Sequence, residues 1–371
     1  MRLLCSQCGE GYDAGGAPWR CGCGGPLDLD FHPEFDFRSF GGREPGLWRY
    51  REALPIEDRS SVVSLGEGGT PMVPADILGV KVHLKLEYLA PSGSFKDRGA
   101  AVLISHAREL GIEAAVEDSS GNAGAAISAY CAAARIACEI YVPEATSSGK
   151  TAQIEAAGAR LVRVPGDREK TAEAVRKRAG EIFYASHYWN PYFFHGTKTF
   201  AYEVVEQLGG RAPDVVIFPV GHGSLLYGSY IGFRELQANE VIGAMPALIA
   251  VQAEGFAPLS YLWRGMEFPG SADKAGTVAE GIRVRKPARA GQIIRAVEET
   301  GGEVVEIGDD EIAAALAELV GRGFFVEPTS AVPLAALGKL GLGEGEIVIP
   351  LTGSGLKASL DVSRLVCRGK K

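Results

Sequence analysis

The chain has 371 residues, of which 38 are Lys or Arg and 46 are Asp or Glu, so its formal net charge is −8. This length is enough for two domains with separate hydrophobic cores, and the negative charge argues against nucleic acid and anionic membranes as principal partners. No apolar run reaches the roughly 20 residues needed to cross a bilayer, and the first residues, Met1-Arg2-Leu3-Leu4-Cys5, lack the hydrophobic region of a signal peptide. We therefore expect a cytoplasmic protein without a membrane partner.

Four cysteines near the start of the chain follow the pattern Cys5-x2-Cys8-x12-Cys21-x1-Cys23. In a cytosolic protein such spacing indicates a metal site rather than disulfides. Four thiolates can close a tetrahedral zinc site in a segment too small for a core of its own. Because the second pair is tighter than the usual Cys-x2-Cys, a vestigial ribbon with free or oxidised thiols stays open as the alternative. Either interpretation makes residues 1–25 a structural, zinc-ribbon-like segment.

Beyond the cysteine segment, the sequence predicts an irregular arm followed by strands that alternate with helices. Residues 26–60 are polar and aromatic, and we expect an irregular arm there. Predicted strands cover 80–87, 114–117, 138–142, 161–164, 215–218, 248–251, 303–307 and 347–351. Predicted helices cover 100–110, 125–134, 150–157, 169–178, 225–236, 292–300 and 310–319, the last with Asp309 as its N-cap. Strands that alternate with helices predict an α/β fold with mainly parallel sheets.

One lysine stands out within the turn Ser92-Gly93-Ser94-Phe95-Lys96-Asp97-Arg98-Gly99. Lys96 lies where a strand gives way to a helix, and the field of a helix N-terminus opposes its charge. Such a position lowers the pKa of an amine, which suits Schiff-base chemistry. For this motif alone, an exposed loop lysine without a function is the plain alternative.

Two further turns follow predicted strands. Ser119-Ser120-Gly121-Asn122 comes after strand 114–117, and Gly221-His222-Gly223-Ser224-Leu225 comes after strand 215–218. In parallel sheets, ligands bind at the carboxyl ends of the strands, so we expect Lys96, Asn122 and Gly221 at such an edge. Glycines let the backbone approach an anion, and successive N–H groups supply donors. The Gly221 turn therefore predicts a phosphate site, with a tight connection that binds no ligand as the alternative.

Four stretches, in this order, resemble motifs of pyridoxal-phosphate enzymes of fold type II, above all those of threonine synthases. They are the Lys96 turn, the Ser119 turn, Pro219-Val220-Gly221-His222-Gly223-Ser224, and Leu351-Thr352-Gly353-Ser354-Gly355-Leu356-Lys357. The resemblance covers residues 60–360 and implies two three-layer α/β domains with mainly parallel sheets. It implies a large cofactor-binding domain of residues 26–99 plus 196–371, and a smaller α/β domain of residues 100–195 inserted in it. It also implies a homodimer, and some threonine synthases carry a similar N-terminal ribbon.

The resemblance assigns a role to each motif. Lys96 would be the catalytic residue, which binds pyridoxal phosphate as a Schiff base and takes the α-proton of the substrate. Asn122 would bind the ring hydroxyl and Thr352 the pyridine nitrogen. A threonine hydroxyl holds that nitrogen protonated less well than a carboxylate does, which suits elimination and replacement better than transamination. The cofactor phosphate would lie on Gly221, His222, Gly223, Ser224 and Leu225, and the substrate on Ser119, Ser120 and Ala123.

Three positions depart from the threonine synthase pattern. Those enzymes convert O-phosphohomoserine to threonine and must bind a second phosphate. Phe193 stands where the family usually has arginine, Ala123 where it has threonine, and His222 where it has asparagine. A buried charged clamp of this kind is worth about 2–5 kcal/mol of binding. Either other cationic side chains replace the arginine or the substrate differs; the available residues are His187, His195, His222 and Lys198.

Three functions follow from these observations. The first is a threonine synthase-like lyase that acts on O-phosphohomoserine. The second, favoured by Phe193, is β-elimination or β-replacement on a small amino acid, as in serine/threonine ammonia-lyases and in cysteate or cysteine synthases. The third is a non-catalytic or regulatory protein whose Cys ribbon binds a partner or nucleic acid, against which the acidic charge and the intact Lys96 argue.

Overall fold

The structure is a computed structural model that describes residues 1–270 and 276–368. Its strands are β1 (Arg2–Cys5), β2 (Gly11–Asp13), β3 (Leu27–Asp30), β4 (Met72–Ile77), β5 (Val80–Lys85), β6 (Ala114–Glu117), β7 (Ala137–Pro143), β8 (Arg160–Val164), β9 (Phe183–Tyr184), β10 (Val215–Pro219), β11 (Ala247–Ala253), β12 (Val304–Ile307) and β13 (Ile347–Pro350). Its α-helices are α1 (Lys96–Glu109), α2 (Asn122–Ala134), α3 (Ser148–Ala156), α4 (Arg168–Arg178), α5 (Pro191–Thr197), α6 (Thr199–Gln207), α7 (Ser224–Ala238), α8 (Pro258–Trp263), α9 (Ala290–Glu299), α10 (Asp309–Gly321), α11 (Pro328–Leu340) and α12 (Ser359–Arg368). None of these helices is both long enough and apolar enough to span a membrane.

The chain forms two compact units. The first comprises Met1–Gly69 and Ala90–Thr199, and the second comprises Thr70–Leu89 and the described residues from Phe200 onward. This division places residues 26–69 and 90–99 with the segment 100–195, whereas the predicted domains placed them with the C-terminal part. The reason is that α1 begins within 90–99 and packs in the first unit. The domain boundaries of the sequence analysis stay a prediction.

The first unit contains a small antiparallel sheet and a parallel one. The small sheet has the order β2-β1-β3, and it extends the N-terminal ribbon to Asp30, beyond the predicted limit of residue 25. The parallel sheet has the order β8-β7-β6-β9. Its core includes buried small residues of α1 and α2, such as Ala101 and Ala126, which allow these helices to pack closely. The predicted strand 114–117 is confirmed at the same bounds.

The second unit contains a six-stranded sheet with the order β12-β11-β10-β13-β5-β4. All neighbours are parallel except β4 and β5, which form a hairpin through Leu78 and Gly79, both with positive φ. The central strands are apolar along their length, and residues 216–218 of β10 are fully buried. Continuous apolar strands are typical of parallel sheets that are covered on both faces. The predicted α/β fold with mainly parallel sheets is confirmed.

Two local predictions need correction. Helix α1 begins at Lys96 rather than at residue 100, and Lys96 does not directly follow a strand, because β5 ends at Lys85 and a 3-10 helix, Glu87–Leu89, lies between them. Asp309 is not an N-cap: Gly308 takes that place, and Asp309 is the first residue of α10. The Asp309 carboxylate instead accepts a 2.6 Å hydrogen bond from Thr277 Oγ1.

Candidate cofactor and substrate site

The turn before Lys96 is closed by hydrogen bonds that bring the lysine to the first position of α1. Gly93 has a φ of +84°, a conformation that favours glycine. Its N–H donates to Ala90 O at 2.7 Å. The N–H of Ser92 donates to Asp97 Oδ2 at 2.6 Å. These bonds start the helix four residues earlier than predicted and place the amine of Lys96 in its first turn.

Aromatic rings surround the amine of Lys96. Its Nζ lies 4.5 Å from the ring centroid of Phe95 and 5.7 Å from that of Phe193. Phe193 is fully buried, and a Cβ added to Gly99 would lie only 2.4 Å from two of its ring atoms. The ring therefore rests directly on the backbone of α1. The position where the resemblance implies arginine holds a tightly packed apolar side chain.

The Ser119 turn lies between β6 and α2, as predicted. Asn122 is the first residue of α2, and the N–H of Gly121 donates to Ser119 Oγ at 3.3 Å. A Cβ on Gly124 would lie 1.9 Å from Ser119 O, so only glycine allows the turn to fold onto the helix. The first N–H groups of a helix have no partner within it, and such groups bind anions. Ala123 is buried and apolar, so its backbone N–H is the only donor it offers.

A buried acidic pair, which was not predicted from the sequence, lies at the end of β6. Asp118 accepts hydrogen bonds from the hydroxyls of Tyr184 and Tyr188, at 2.6 and 3.0 Å. The guanidinium of Arg168 lies 3.5 Å from the same carboxylate. These donors satisfy the oxygens of the Asp118 carboxyl group, which is fully buried. The signal in the sequence is two adjacent acids, Glu117 and Asp118, at the end of an apolar strand.

Glu117 interacts with a histidine rather than with a cation. Its Oε1 lies 2.5 Å from His187 Nδ1. Burial raises the pKa of the Glu117 carboxyl well above its usual range, and Asp118 raises it further, whereas the charges of Arg168 and Lys96 lower it. A carboxyl of this kind keeps its proton at a higher pH than an exposed glutamate does.

The glycine turn in the second unit connects β10 to α7. A Cβ on Gly221 would lie 3.0 Å from Ile282 Cα, and one on Gly223, whose φ is +72°, would lie 2.3 Å from Ile293 Cδ1. Neither position can hold a larger side chain, so the turn presents backbone. Ser224 and Leu225 are buried and begin α7. The structure therefore brings residues 221–225 together as one loop at a helix N-terminus, as predicted.

Thr352 follows β13 and is buried beside a second hydroxyl. Its Oγ1 lies 3.2 Å from Ser330 Oγ. Ser330 Oγ also accepts from the N–H of Gly353 at 3.0 Å, and the N–H of Glu327 donates to Gly353 O at 3.0 Å. A Cβ on Gly353 would lie 2.3 Å from Glu327 Oε1. Ser330 and Glu327 were missed as neighbours of Thr352, because only the tertiary fold joins the start of α11 to the end of β13.

These features fit pyridoxal phosphate. The Gly221 turn is a cradle that side chains would fill, and its N–H groups suit a phosphate. The hydroxyl of Thr352 is a group that could form a hydrogen bond with a ring nitrogen. Next to Lys96, the buried hydroxyl oxygens of Ser92 and Ser94 have no hydrogen-bond partner within residues 1–270 and 276–368. Lys96, Ser119, Ser120, Asn122 and Ala123 belong to the first unit, and residues 221–225 and Thr352 belong to the second.

The N-terminal cysteines converge as a metal site requires. The Sγ atoms of Cys5, Cys8, Cys21 and Cys23 all lie within 4.8 Å of one another. Backbone N–H groups lie 3.4 Å from the sulfurs of Cys5 and Cys23. A hydrogen bond from Tyr12 is the main reason that the pKa of the Cys21 thiol falls to about 6. Zn–S bonds of about 2.3 Å in a tetrahedron need sulfur separations of about 3.8 Å, close to the two S–S contacts of 3.5 Å that are present.

The ribbon packs against β9 and α5 of the first unit. Trp19, between the second and third cysteines, contacts the ring of Tyr184 edge-on with centroids 5.5 Å apart. Phe31 contacts His195 in the same way at 5.6 Å, and Lys198 Nζ lies 5.0 Å from the Phe31 centroid. The ribbon is therefore part of the core of the first unit.

Comparisons with known proteins agree with this geometry. The sequence matches the family described as pyridoxal-phosphate dependent enzyme over residues 63–353. The threonine synthase of Methanocaldococcus jannaschii is 36% identical over 377 residues, which cover 96% of this chain and 93% of that protein. The threonine synthase of Methanosarcina acetivorans is 33% identical over 369 residues, which cover 94% and 90%. The processed form of threonine deaminase isoform 2 from Solanum lycopersicum has the same fold, with a TM-score of 0.69 at 21% identity over 92% of this chain and 98% of that chain. The chain therefore belongs to the pyridoxal-phosphate dependent enzymes of fold type II.

Proposed function

We propose that this enzyme is a lyase of the threonine synthase type, which converts O-phosphohomoserine to threonine and phosphate. The observation that carries the proposal is its identity of 33–36% to two threonine synthases along 94–96% of the chain. Chains that share this much sequence over their full length commonly keep the same site. The Lys96, Ser119, Gly221 and Thr352 turns support the proposal.

Each turn has a distinct role in this proposal. The cofactor supplies an electron sink for negative charge at the α-carbon of the substrate. Lys96 is the attachment point, and its Nζ takes and returns the α-proton. Thr352, which lies beside Ser330, would form a hydrogen bond with the ring nitrogen, and Asn122 would bind the ring hydroxyl. The N–H groups of residues 221–225 would hold the phosphate of the cofactor, and those of Ser119, Ser120 and Ala123 would hold the substrate carboxylate.

Phe193 favours a second candidate function. It is fully buried against Gly99, so it supplies no charge for a second phosphate. Nδ1 of His187 is engaged by Glu117, and the ring of His195 packs on Phe31, so neither acts as a simple cationic substitute. The second candidate is β-elimination or β-replacement on a small amino acid without a phosphate, as in a serine/threonine ammonia-lyase or a cysteate or cysteine synthase.

Product analysis separates the two functions. The holoprotein is incubated with O-phosphohomoserine and, separately, with serine and threonine, with Lys96→Ala as the blank. We expect equal amounts of threonine and inorganic phosphate from O-phosphohomoserine. Ammonia and a keto acid from serine or threonine, with no phosphate release, would instead establish the second candidate. If none of these three substrates gave a product, both the threonine synthase and the ammonia-lyase activity would be contradicted.

We also propose that the four N-terminal cysteines bind one structural zinc ion. Metal analysis of the purified chain should give one zinc per chain. Cys21→Ser should lose the metal and lower the Tm by about 5 °C or more, because the ribbon packs in the core of the first unit. Cys367→Ser, an exposed cysteine on α12, is the matched control and should leave both unchanged. A metal-free protein with the same Tm, or one whose four thiols form disulfides, would support the vestigial ribbon.

The homodimer and the cytoplasmic location remain proposals. Light scattering coupled to size-exclusion chromatography should give twice the mass of one chain. A monomer that shows full activity would remove the dimer from the proposal.

A further inference from the structure

Two buried titratable residues near Lys96 have no role in the function proposed above. Glu117 ends β6, and His187 precedes α5, 70 residues later in the sequence. Glu117 is fully buried, and His187 is 5% exposed. The second carboxyl oxygen, Glu117 Oε2, is buried and has no hydrogen-bond partner in the described part of the chain. Because burial disfavours the ionised form of the Glu117 carboxyl and raises its pKa, a proton between Oε1 and Nδ1 is favoured.

Ionisable groups face this pair from several elements. The adjacent carboxyl group is that of Asp118, which accepts hydrogen bonds from the two tyrosine hydroxyls and lies beside the arginine described above. Lys96 supplies positive charge from the start of α1. The thiol of Cys131 on α2 is also within electrostatic range of Glu117. The groups on these elements are Asp118 on the turn after β6, Tyr184 on β9, Tyr188 before α5, Arg168 on α4, Lys96 on α1 and Cys131 on α2.

Phe193 connects the pair to Lys96. The ring centroids of His187 and Phe193 are 6.1 Å apart, and Lys96 Nζ lies 5.7 Å from the centroid of the same ring. Because this shared neighbour is apolar and fully buried, charges beside it interact more strongly than in solvent.

We propose that Glu117 is a positioning residue for Lys96, which acts through its hydrogen bond with His187 and sets the pH at which the Lys96 amine loses its charge. The inference rests on the proposed function only in taking Lys96 as the reactive lysine. When Glu117 loses its proton, its negative charge stabilises the ammonium form of Lys96. When the pair holds the proton, this stabilisation is absent and the amine is uncharged at a lower pH.

The first test is the pH dependence of Lys96 labelling in the full-length chain after the cofactor is removed. The protein is treated with an amine-reactive reagent over a range of pH, and peptide mass spectrometry then gives the pH at which labelling of Lys96 is half-maximal, here called its midpoint. In Glu117→Gln the midpoint should fall by about one pH unit, because glutamine cannot carry the stabilising charge. Glu139→Gln is the matched control: it lies on the adjacent strand β7 and is ion-paired with Arg160 and Arg178. In Glu139→Gln the labelling midpoint of Lys96 should equal that of the wild type. A Glu117→Gln midpoint equal to that of the wild type would overturn the proposal.

The second test does not require a Glu117 variant to fold. Coupling between two sites is reciprocal, so Lys96→Ala should raise the pH at which the Glu117–His187 pair loses its proton by the same amount. Nitrogen-15 NMR of histidine-labelled protein follows this step, and His187→Asn assigns the signal. An identical His187 titration in the wild type and in Lys96→Ala would also overturn the proposal. Because neither test uses a substrate, both can be read even if O-phosphohomoserine is not turned over.

Discussion

Replacement of Lys96 by alanine should lower kcat by at least about 1,000-fold on whichever substrate is turned over, because one residue supplies both the attachment point and the base. The visible absorbance of the bound cofactor should change at the same time, since its covalent partner is gone. The fold should persist, because the Lys96 side chain is partly exposed and its turn is closed by Ser92 and Asp97. Kinetics, absorbance and circular dichroism on the same preparation measure the three effects.

Lys150→Ala is the control for this experiment. Lys150 is an exposed lysine near the start of another helix, α3, so its removal tests whether any helix-start lysine matters. We expect wild-type kcat from this variant. Activity of Lys96→Ala within tenfold of the wild type would remove Lys96 from the mechanism, and with it the roles proposed for its neighbours.

Substitution of Gly196 by alanine should destabilise the protein by about 3 kcal/mol and weaken cofactor binding. A Cβ at this position would lie 2.0 Å from Arg98 O and 2.8 Å from Gly99 Cα. The obstacle is backbone, which cannot move aside as a side-chain end would, so α5 and the first turn of α1 must separate. Overpacking of this kind costs about 1–3 kcal/mol and sometimes more. Urea unfolding measures the stability, and titration with pyridoxal phosphate measures the affinity.

Gly149→Ala is the control, because we expect it to change the stability of the protein in the opposite direction. Gly149 lies in helix α3, and a Cβ there would meet no atom within 4 Å. Alanine should stabilise this helix by about 0.5–1 kcal/mol, because it restricts the unfolded chain. If Gly196→Ala were as stable as the wild type while Gly149→Ala behaved as expected, the close contact between α5 and α1 would be disproved.

The parts of the fold that the sequence predicted are those that local patterns determine. The strand from Ala114 to Glu117 and the presence of a helix after each of the Ser119 and Gly221 turns follow from apolar runs separated by glycine-containing turns. The predicted starts of these helices, residues 125 and 225, are three residues and one residue later than the observed starts. The start of α1 was misplaced because it depends on one side-chain bond, from Ser92 N–H to Asp97, which no periodicity reveals. The Asp309 cap was misassigned because its carboxylate binds Thr277, a residue 32 positions earlier.

The candidate site residues also divide into those that local motifs indicate and those that only the tertiary fold brings together. Lys96 and Gly221 lie in short motifs whose chemistry is readable from residue types. The pairing of Glu117 with His187, and of Thr352 with Ser330, joins segments 70 and 22 residues apart. Such pairs depend on strand order and helix packing, so spacing along the chain carries no signal for them. The absence of an arginine at 193 was visible in the sequence, but its packing against Gly99 was not.

Trp19 gives the protein an internal optical reporter. Its ring contacts Trp189 edge-on, with centroids 5.3 Å apart, and the two residues belong to the ribbon and to the segment before α5. The other tryptophans, Trp48 and Trp263, lie on different elements. Fluorescence of the Trp19–Trp189 pair, isolated by comparison with Trp19→Phe, therefore follows detachment of the ribbon from the rest of the first unit without any added label. Any detachment of the ribbon that accompanies thiol oxidation or treatment with a chelator can be followed in real time through the same signal.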